Sequence, residues 1–410
     1  MTVEESLQLF RKSFDLVHFL KNRIESVDIR HACGRVLAEQ IISRENIPGF
    51  NRSTMDGYAL KARDTYGASE SLPAYFEIAG EIRMAENPSF HLSSGQAARI
   101  STGGMLPDGA DAVVMLEYSE NISPTMIEIN RPVAPWENIL REDEDIKKNE
   151  LLLQKGHCLR PPDIGLLAAL GWPKVSVYRK LIIAIISTGD EIIPIYSQPK
   201  PGQVRDINSY TLGAAIEQSG GIPYSLGIIP DDEKILEREL HKCLYEKEID
   251  LILISGGSSV GTRDYTLKVL NRLGPPGILV HGVALKPGKP TIISLIQNKP
   301  FIGLPGHPVS AMMVFESIIR KIISDLKGEV SPVGERKTID ALLDSNVFSD
   351  AGREEYIRVS LHNKNGRLWA IPVLGKSGMI SSLSRADGYI TIGLNQEGLY
   401  QGKKVTVTMF

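Results

Sequence analysis

Apolar positions between residues 178 and 328 fall into two kinds of run. LIIAIIS (181–187), IPYSLGII and IDLILIS are short and nearly continuous, as in strands buried on both faces. SYTLGAAIEQSG, DDEKILERELHKCLYEK and DYTLKVLNRLG instead place apolar residues every three or four positions, which predicts amphipathic helices. GILVHGVAL, TIISLIQ and FIGL add strands, and a last helix is predicted over about 308–327. Such alternation predicts an α/β domain with a mostly parallel sheet. On either side the pattern changes. Residues 65–137 (YFEIAGEI, ADAVVMLEY, TMIEINRPV) and 331–410 (EEYIRVSLH, RLWAIPV, GYITIG, KKVTVTMF) alternate over short, turn-punctuated stretches and predict two β domains. Residues 1 to about 45 read as helical, ending in GRVLAEQIIS. LRPPDIGLLAALGW reads as a proline-started helix closed by a glycine.

A chain of 410 residues exceeds one ordinary core, in keeping with several domains. Its net charge of −3 gives no general attraction to nucleic acid or to an anionic membrane surface. Cys33, Cys158 and Cys243 are far apart, which argues against a disulfide framework or a cysteine-built zinc site and suits a reducing compartment. The N-terminal segment lacks the basic-then-apolar order of a signal peptide, and no apolar run is long enough to span a bilayer. A cytoplasmic protein is expected, with neither nucleic acid nor membrane as partner.

Ligands of open α/β sheets bind beyond the carboxyl ends of the strands. Four apolar runs here end in loops rich in small, hydroxyl or charged residues. Asp190 and Glu191 follow the first. Ser255, Gly256, Gly257, Ser258, Ser259 and Gly261 follow IDLILI; this loop reads either as an anion cradle of backbone N–H groups or as a flexible strand-to-helix link. It is neither a P-loop nor a dinucleotide fingerprint. KPGKP carries Lys286 and Lys289 on a proline-stiffened loop, where two ammonium groups can converge on one anion or stand in solvent. Pro305, Gly306, His307 and Ser310 follow FIGL, where Pro308 starts a helix and His307 is read as a hydrogen-bonding contact of the loop or substrate. Asp190, Glu191, Asp231, Asp232 and Asp264 are oxygen donors of the kind Mg²⁺ takes, although Asp231 and Asp232 also stand where a helix cap is expected.

FNRSTMDGYAL, RISTGGMLPDGADAVVM, STGDE, SGGSSVGTRDYT, LKPGKP and GLPGHPVSA occur in one order along nearly the whole chain. Together they resemble the molybdopterin molybdenumtransferases, the family of MoeA and the gephyrin E domain. The resemblance implies a discontinuous domain I (1–46 and 139–177) and an inserted β-rich domain II (47–138). It also implies an α/β molybdopterin-binding, adenylyltransferase-like domain III (178–328) and a C-terminal β-barrel domain IV (329–410). It implies a homodimer with its site between subunits. The implied reaction inserts molybdate into adenylyl-molybdopterin, releases AMP and uses Mg²⁺ or Zn²⁺, with a molybdopterin adenylyltransferase as the upstream enzyme.

Carried over by motif, Asp56 and Thr102 reach the site from the partner subunit, and Glu191, Asp231 and Asp264 hold the metal. Asp190 and Asp206 are second-rank acidic candidates, and the loop over 256–261, with Ser255 before it, cradles the pterin phosphate. Lys286 and Lys289 draw in molybdate and the substrate, with Ser310 nearby. Arg353, Ser377 and Ser381 match a molybdate-binding patch. Three positions depart from the family pattern: Asn51 where aspartate is usual, Asp143 in place of a glycine, and His307 in place of asparagine. The departures leave molybdate and tungstate both open as the oxyanion. Two other readings also stand at this level: a molybdopterin adenylyltransferase, and a non-enzymatic scaffold like the gephyrin E domain.

Overall fold

The protein is described by a computed structural model. Residues 246–247, 257–261 and 331–335 lie outside the description, as do the side chains of residues 262–264. The chain forms two compact units: residues 1–39 with 155–167 and 172–410, and residues 40–154 with 168–171.

The core of the larger unit is a six-stranded sheet. Its strands are β1 (Ile182–Thr188), β2 (Ile222–Ile229), β3 (Leu251–Gly256), β4 (Pro276–His281), β5 (Ile292–Ile296) and β6 (Lys299–Leu304), in the order β2-β1-β3-β6-β5-β4. The pairs β2–β1, β1–β3 and β3–β6 are parallel, and only β5 runs against its neighbours. Both faces are covered, which is why the strands read as continuous apolar runs. Ile183, Ile185, Leu251 and Leu253 point into one core with Leu212, Ile216 and Val309. Ala184, Ile186, Ile252 and Ile254 point into the other, with Leu236, Leu240 and Val269. The covering helices include α1 (Asn208–Gln218), α2 (Glu233–Tyr245), α3 (Thr262–Arg272) and α4 (Pro308–Val314). The helix predicted over 308–327 is there: α4 runs through a π turn at Phe315–Ile319 into Arg320–Leu326.

Near the C-terminus, strands Glu354–Lys364, Arg367–Pro372, Thr338–Leu343, Lys404–Met409 and Gly388–Ile392 close into a barrel, because the last pairs back onto the first. Leu285–Lys286 joins this sheet, Lys286 opposite Glu355. The smaller unit carries its own six-stranded sheet, from Gly57–Leu60 to Met126–Ile129, as its alternating pattern predicts.

The N-terminal reading needs correction. The α-helices of this stretch stop at Lys21, Ile24–Asp28 is a strand paired with Lys174–Tyr178, and a single 3₁₀ turn follows at Ile29–His31. GRVLAEQIIS is not helical: Val36 and Leu37 form bridges to Cys158 and Val177, and Ile41–Ile42 pairs with Leu151–Leu153. Gly34, with φ 76°, turns the chain after this short 3₁₀ turn, and the β-branched residues that follow find strand partners.

Candidate functional site

The parallel ends of β1, β2, β3 and β6 line one edge of the central sheet. The chain leaves β1 for β2 on one side and β3 on the other, so a crevice opens between β1 and β3. There Thr188 pairs with Gly256. A Cβ on Gly256 would stand 2.0 Å from the Thr188 carbonyl oxygen, and its φ of 145° is one that only glycine adopts readily. The approach of the two backbones at the crevice therefore depends on a glycine.

Acidic residues gather at the β1 and β2 ends. The N–H of Asp231 donates to Asp190 Oδ1 at 3.1 Å. Burial, then repulsion from Asp190 and Glu191, raises the Asp231 carboxyl above its ordinary value. The adjacent acids divide the work: Asp232 Oδ1 accepts from the Ile235 N–H at 2.9 Å and caps α2, leaving Asp231 to the carboxylate group. Asp264 belongs to α3, but its side chain lies outside the described residues. Among the described residues, no three His, Cys, Asp or Glu side chains form a metal cage by themselves.

The neighbouring loops are tied together beneath this edge. Asn208, buried at the start of α1, donates from Nδ2 to Ser255 Oγ at 2.7 Å and to the Gly306 carbonyl at 2.8 Å. Asp206 is buried and accepts from Ser187 Oγ at 2.9 Å and from the Ser209 N–H at 3.1 Å. Asp206 thus braces the start of α1. Pro305 lines a cavity of about 20 Å³ together with Gly256 and Thr266. Ser310 is buried within α4. Gly257, Ser258, Ser259 and Gly261 lie outside the described residues.

KPGKP reaches the same edge by a different route from the one its sequence suggests. It follows the barrel pairing of Leu285–Lys286 and precedes β5, whose antiparallel direction starts it beside the end of β6, Ile292 opposite Gly303. Its two lysines part company. Lys289 is exposed, whereas Lys286 lies 3.2 Å from Glu355 Oε2 and 3.3 Å from Asp350 Oδ2. Burial opposes the charge of Lys286, but the bonds to Glu355 and Asp350 prevail and raise its pKa.

Lys286 also walls a cavity of about 330 Å³ at the barrel, with Glu355, Arg358, Gly375 and Ser377. Arg358 is 6% exposed, and burial holds its guanidinium below the ordinary arginine value. Its Nη2 donates to the Gly375 carbonyl at 3.0 Å, while the buried Nε has no partner among the described residues. An unmatched buried donor of this kind calls for an acceptor. Arg353, the arginine carried over by motif, does not line this cavity and stands 3.5 Å from Asp350. Ser377 is on the cavity wall, but Ser381 starts a short helix away from it and is exposed. Sequence reasoning missed Arg358. The strand EEYIRV gives little signal: Ile357 and Val359 face the barrel core, and Arg358, five residues after Arg353, lies on the opposite face against Gly375.

In the smaller unit, Asp56 Oδ1 accepts from the Thr102 N–H at 2.7 Å and from Thr102 Oγ1 at 3.0 Å. These bonds, the backbone one foremost, lower the Asp56 carboxyl below its usual range. The two motif residues are thus one exposed unit.

Models of known families cover most of the chain: the MoeA N-terminal region (domains I and II) over residues 1–171, a probable molybdopterin binding domain over 184–325, and the MoeA C-terminal region (domain IV) over 340–410. The chain belongs to the MoeA family. MoeA membership places it in molybdenum cofactor biosynthesis. Its relatives include a putative molybdopterin biosynthesis protein of Methanocaldococcus jannaschii, 35% identical over 94% of this chain and 92% of that protein. A molybdopterin molybdenumtransferase of Haemophilus influenzae is 32% identical over 94% of each. A crystal structure of a molybdopterin biosynthesis MoeA protein from Pyrococcus horikoshii superposes with a TM-score of 0.82 at 37% identity, covering 100% of this chain and 98% of that one. The MoeA fold accounts for the α/β centre and the C-terminal barrel alike. Among the described residues, no helix is long and apolar enough to cross a membrane.

Proposed function

We propose that this protein is a molybdopterin molybdenumtransferase: it takes adenylyl-molybdopterin and molybdate, cleaves the phosphoanhydride with AMP as leaving group, and returns molybdenum bound by the pterin dithiolene. The observation that carries this reading is the cavity of about 330 Å³ that Lys286, Ser377 and the buried Arg358 line together. Fixed cationic and hydroxyl donors suit a tetrahedral oxyanion. The acidic group lies at the other end of the same sheet edge, beyond β1 and β2. An elongated substrate that presents its phosphoanhydride to the acids and its dithiolene to the cavity matches this separation of charge.

Asp190, Glu191 and Asp231 supply only oxygen donors, which suits Mg²⁺ better than Zn²⁺. They do not enclose an ion, in keeping with an Mg²⁺ whose other ligands are substrate phosphate oxygens, water and Asp264. Bound there, Mg²⁺ would offset the charge that develops on the phosphoanhydride. The residues of the chain do the rest: Gly256 and the loop after it admit the phosphate, and Asn208 fixes the loops. Asp56 and Thr102 are assigned to the site of a second copy in a homodimer. Substrate is expected from a molybdopterin adenylyltransferase.

The test is AMP release from adenylyl-molybdopterin, with and without molybdate or tungstate, for the parent protein and Asp231→Ala. Release that requires the oxyanion and falls in the variant supports the proposal. Release that ignores both sinks it, and adenylylation of molybdopterin from ATP would favour the adenylyltransferase reading.

A further inference from the structure

Ser377 stands on the wall of the cavity that holds Lys286 and Arg358, and its Oγ lies 3.2 Å from Nδ1 of His307. The backbone fixes these two segments side by side, because the Val309 N–H donates to the Ser377 carbonyl at 3.1 Å. The imidazole also lies against Gly378, where an added Cβ would stand 3.6 Å from His307 Cδ2. His307 occupies the N-cap position of α4, yet its side chain makes no capping bond. An asparagine there would be suited to cap the helix. The histidine ring faces Ser377 instead.

A serine hydroxyl has one hydrogen to give. If Nδ1 of a neutral imidazole accepts that hydrogen, Ser377 shows the cavity only lone pairs, which repel an anion. If Nδ1 carries a proton, His307 donates to Ser377 Oγ, and the hydroxyl hydrogen is freed to point into the cavity. We infer that His307 is a positioning residue for oxyanion binding: a proton on its Nδ1 turns Ser377 from acceptor to donor toward an anion held by Lys286 and Arg358. The inference rests on this cavity being the oxyanion site proposed above. The charged groups on the walls that Ser377 faces are Lys286, Arg358 and Glu355, and Glu355 is already engaged by Lys286 and by Ser349 Oγ at 2.7 Å. Lys376 precedes Ser377 in the same segment.

Histidine is the side chain that ordinarily changes charge between about pH 5 and 8. Linkage makes proton uptake at His307 and anion uptake in the cavity favour each other. Molybdate stays a dianion over this interval, so a change in its affinity reports on the protein.

The experiment is calorimetric titration of the full chain with sodium molybdate at about pH 6 and about pH 8. The parent is expected to bind about 5-fold or more tightly at the lower pH. In His307→Asn the amide cannot change protonation, and the two affinities should coincide. His307 is exposed, so this variant should melt like the parent. Ser377→Ala should bind more weakly and also lose the pH dependence. A pH dependence that survives in Ser377→Ala, or in His307→Asn, overturns the coupling, as does equal affinity of the parent at both pH values. Absence of molybdate binding at either pH would remove the oxyanion site itself, and the coupling with it.

Discussion

The side-chain amide of Asn208 donates to the carbonyl oxygen of Gly306 at 2.8 Å and so joins the start of α1 to the loop that leaves β6. The same nitrogen serves Ser255 at 2.7 Å, at the end of β3. One buried amide thus sets the spacing of two loops on the site edge. Asn208→Ala leaves both acceptors without this donor, and Ser255 is 1% exposed. A loss of about 1–3 kcal/mol in urea unfolding is expected. AMP release should fall with it by about 10-fold or more, because loops so displaced no longer hold the substrate in register.

Asp231→Asn should separate stability from function. In the folded protein the charged Asp231 is disfavoured by burial and by Asp190 and Glu191, which raises its pKa. Near neutral pH that charge opposes folding, so a neutral amide should leave the melting temperature unchanged or slightly higher. The same change removes a proposed metal ligand. AMP release is expected to drop by about 100-fold. A variant that melts lower and keeps its rate would contradict the assignment.

The two nearby arginines should behave differently in molybdate titrations. Arg358→Ala removes the buried guanidinium that lines the cavity, and affinity is expected to fall by about 30-fold, the equivalent of about 2 kcal/mol. Arg358→Lys should not restore it, since an ammonium lacks the planar fork. Arg353→Ala, which disturbs only a contact to Asp350 at 3.5 Å, should stay within about 3-fold of the parent.

Asp163 offers an acid-stability test away from the site. Burial works against its carboxylate, but hydrogen bonds from Arg160 and His157 outweigh this and hold its pKa at about 2, against an ordinary 3.8. A folded value below the unfolded one stabilises the protein fully above the unfolded pKa. That stability is lost as pH falls through the folded value. Asp163→Asn should therefore cost about 2 kcal/mol at neutral pH, and its deficit against the parent should shrink toward about pH 2. Urea midpoints for both proteins across this range provide the measurement.

Periodicity revealed the central domain because its strands are buried on both faces; Ile183 and Ala184 face opposite cores, and neither position tolerates polarity. The N-terminal stretch misled because Val36, Leu37 and Ile41 find their partners near Leu151, Cys158 and Val177, far along the chain and invisible to local spacing. At the site, Gly256, Asp231 and Lys286 were legible from loop chemistry at strand ends. Asn208 and Arg358 were not. Asn208 looks like any first residue of a helix until Ser255 and Gly306 are brought to it. Arg358 looks like an outward strand residue until the segment at Gly375 packs over it.

The pairing of Leu285–Lys286 with Glu354 and Glu355 limits how the chain can be dissected. These two residues belong by sequence to the α/β domain and by hydrogen bonding to the barrel. A fragment ending before residue 338 would retain every strand of the central sheet, yet it would strip Lys286 of its strand partner and of Glu355, Asp350 and Arg358 together. Such a fragment would keep the acidic half of the edge and lose the cationic half. The smallest piece that holds the proposed oxyanion cavity is therefore larger than the smallest piece that contains the sheet.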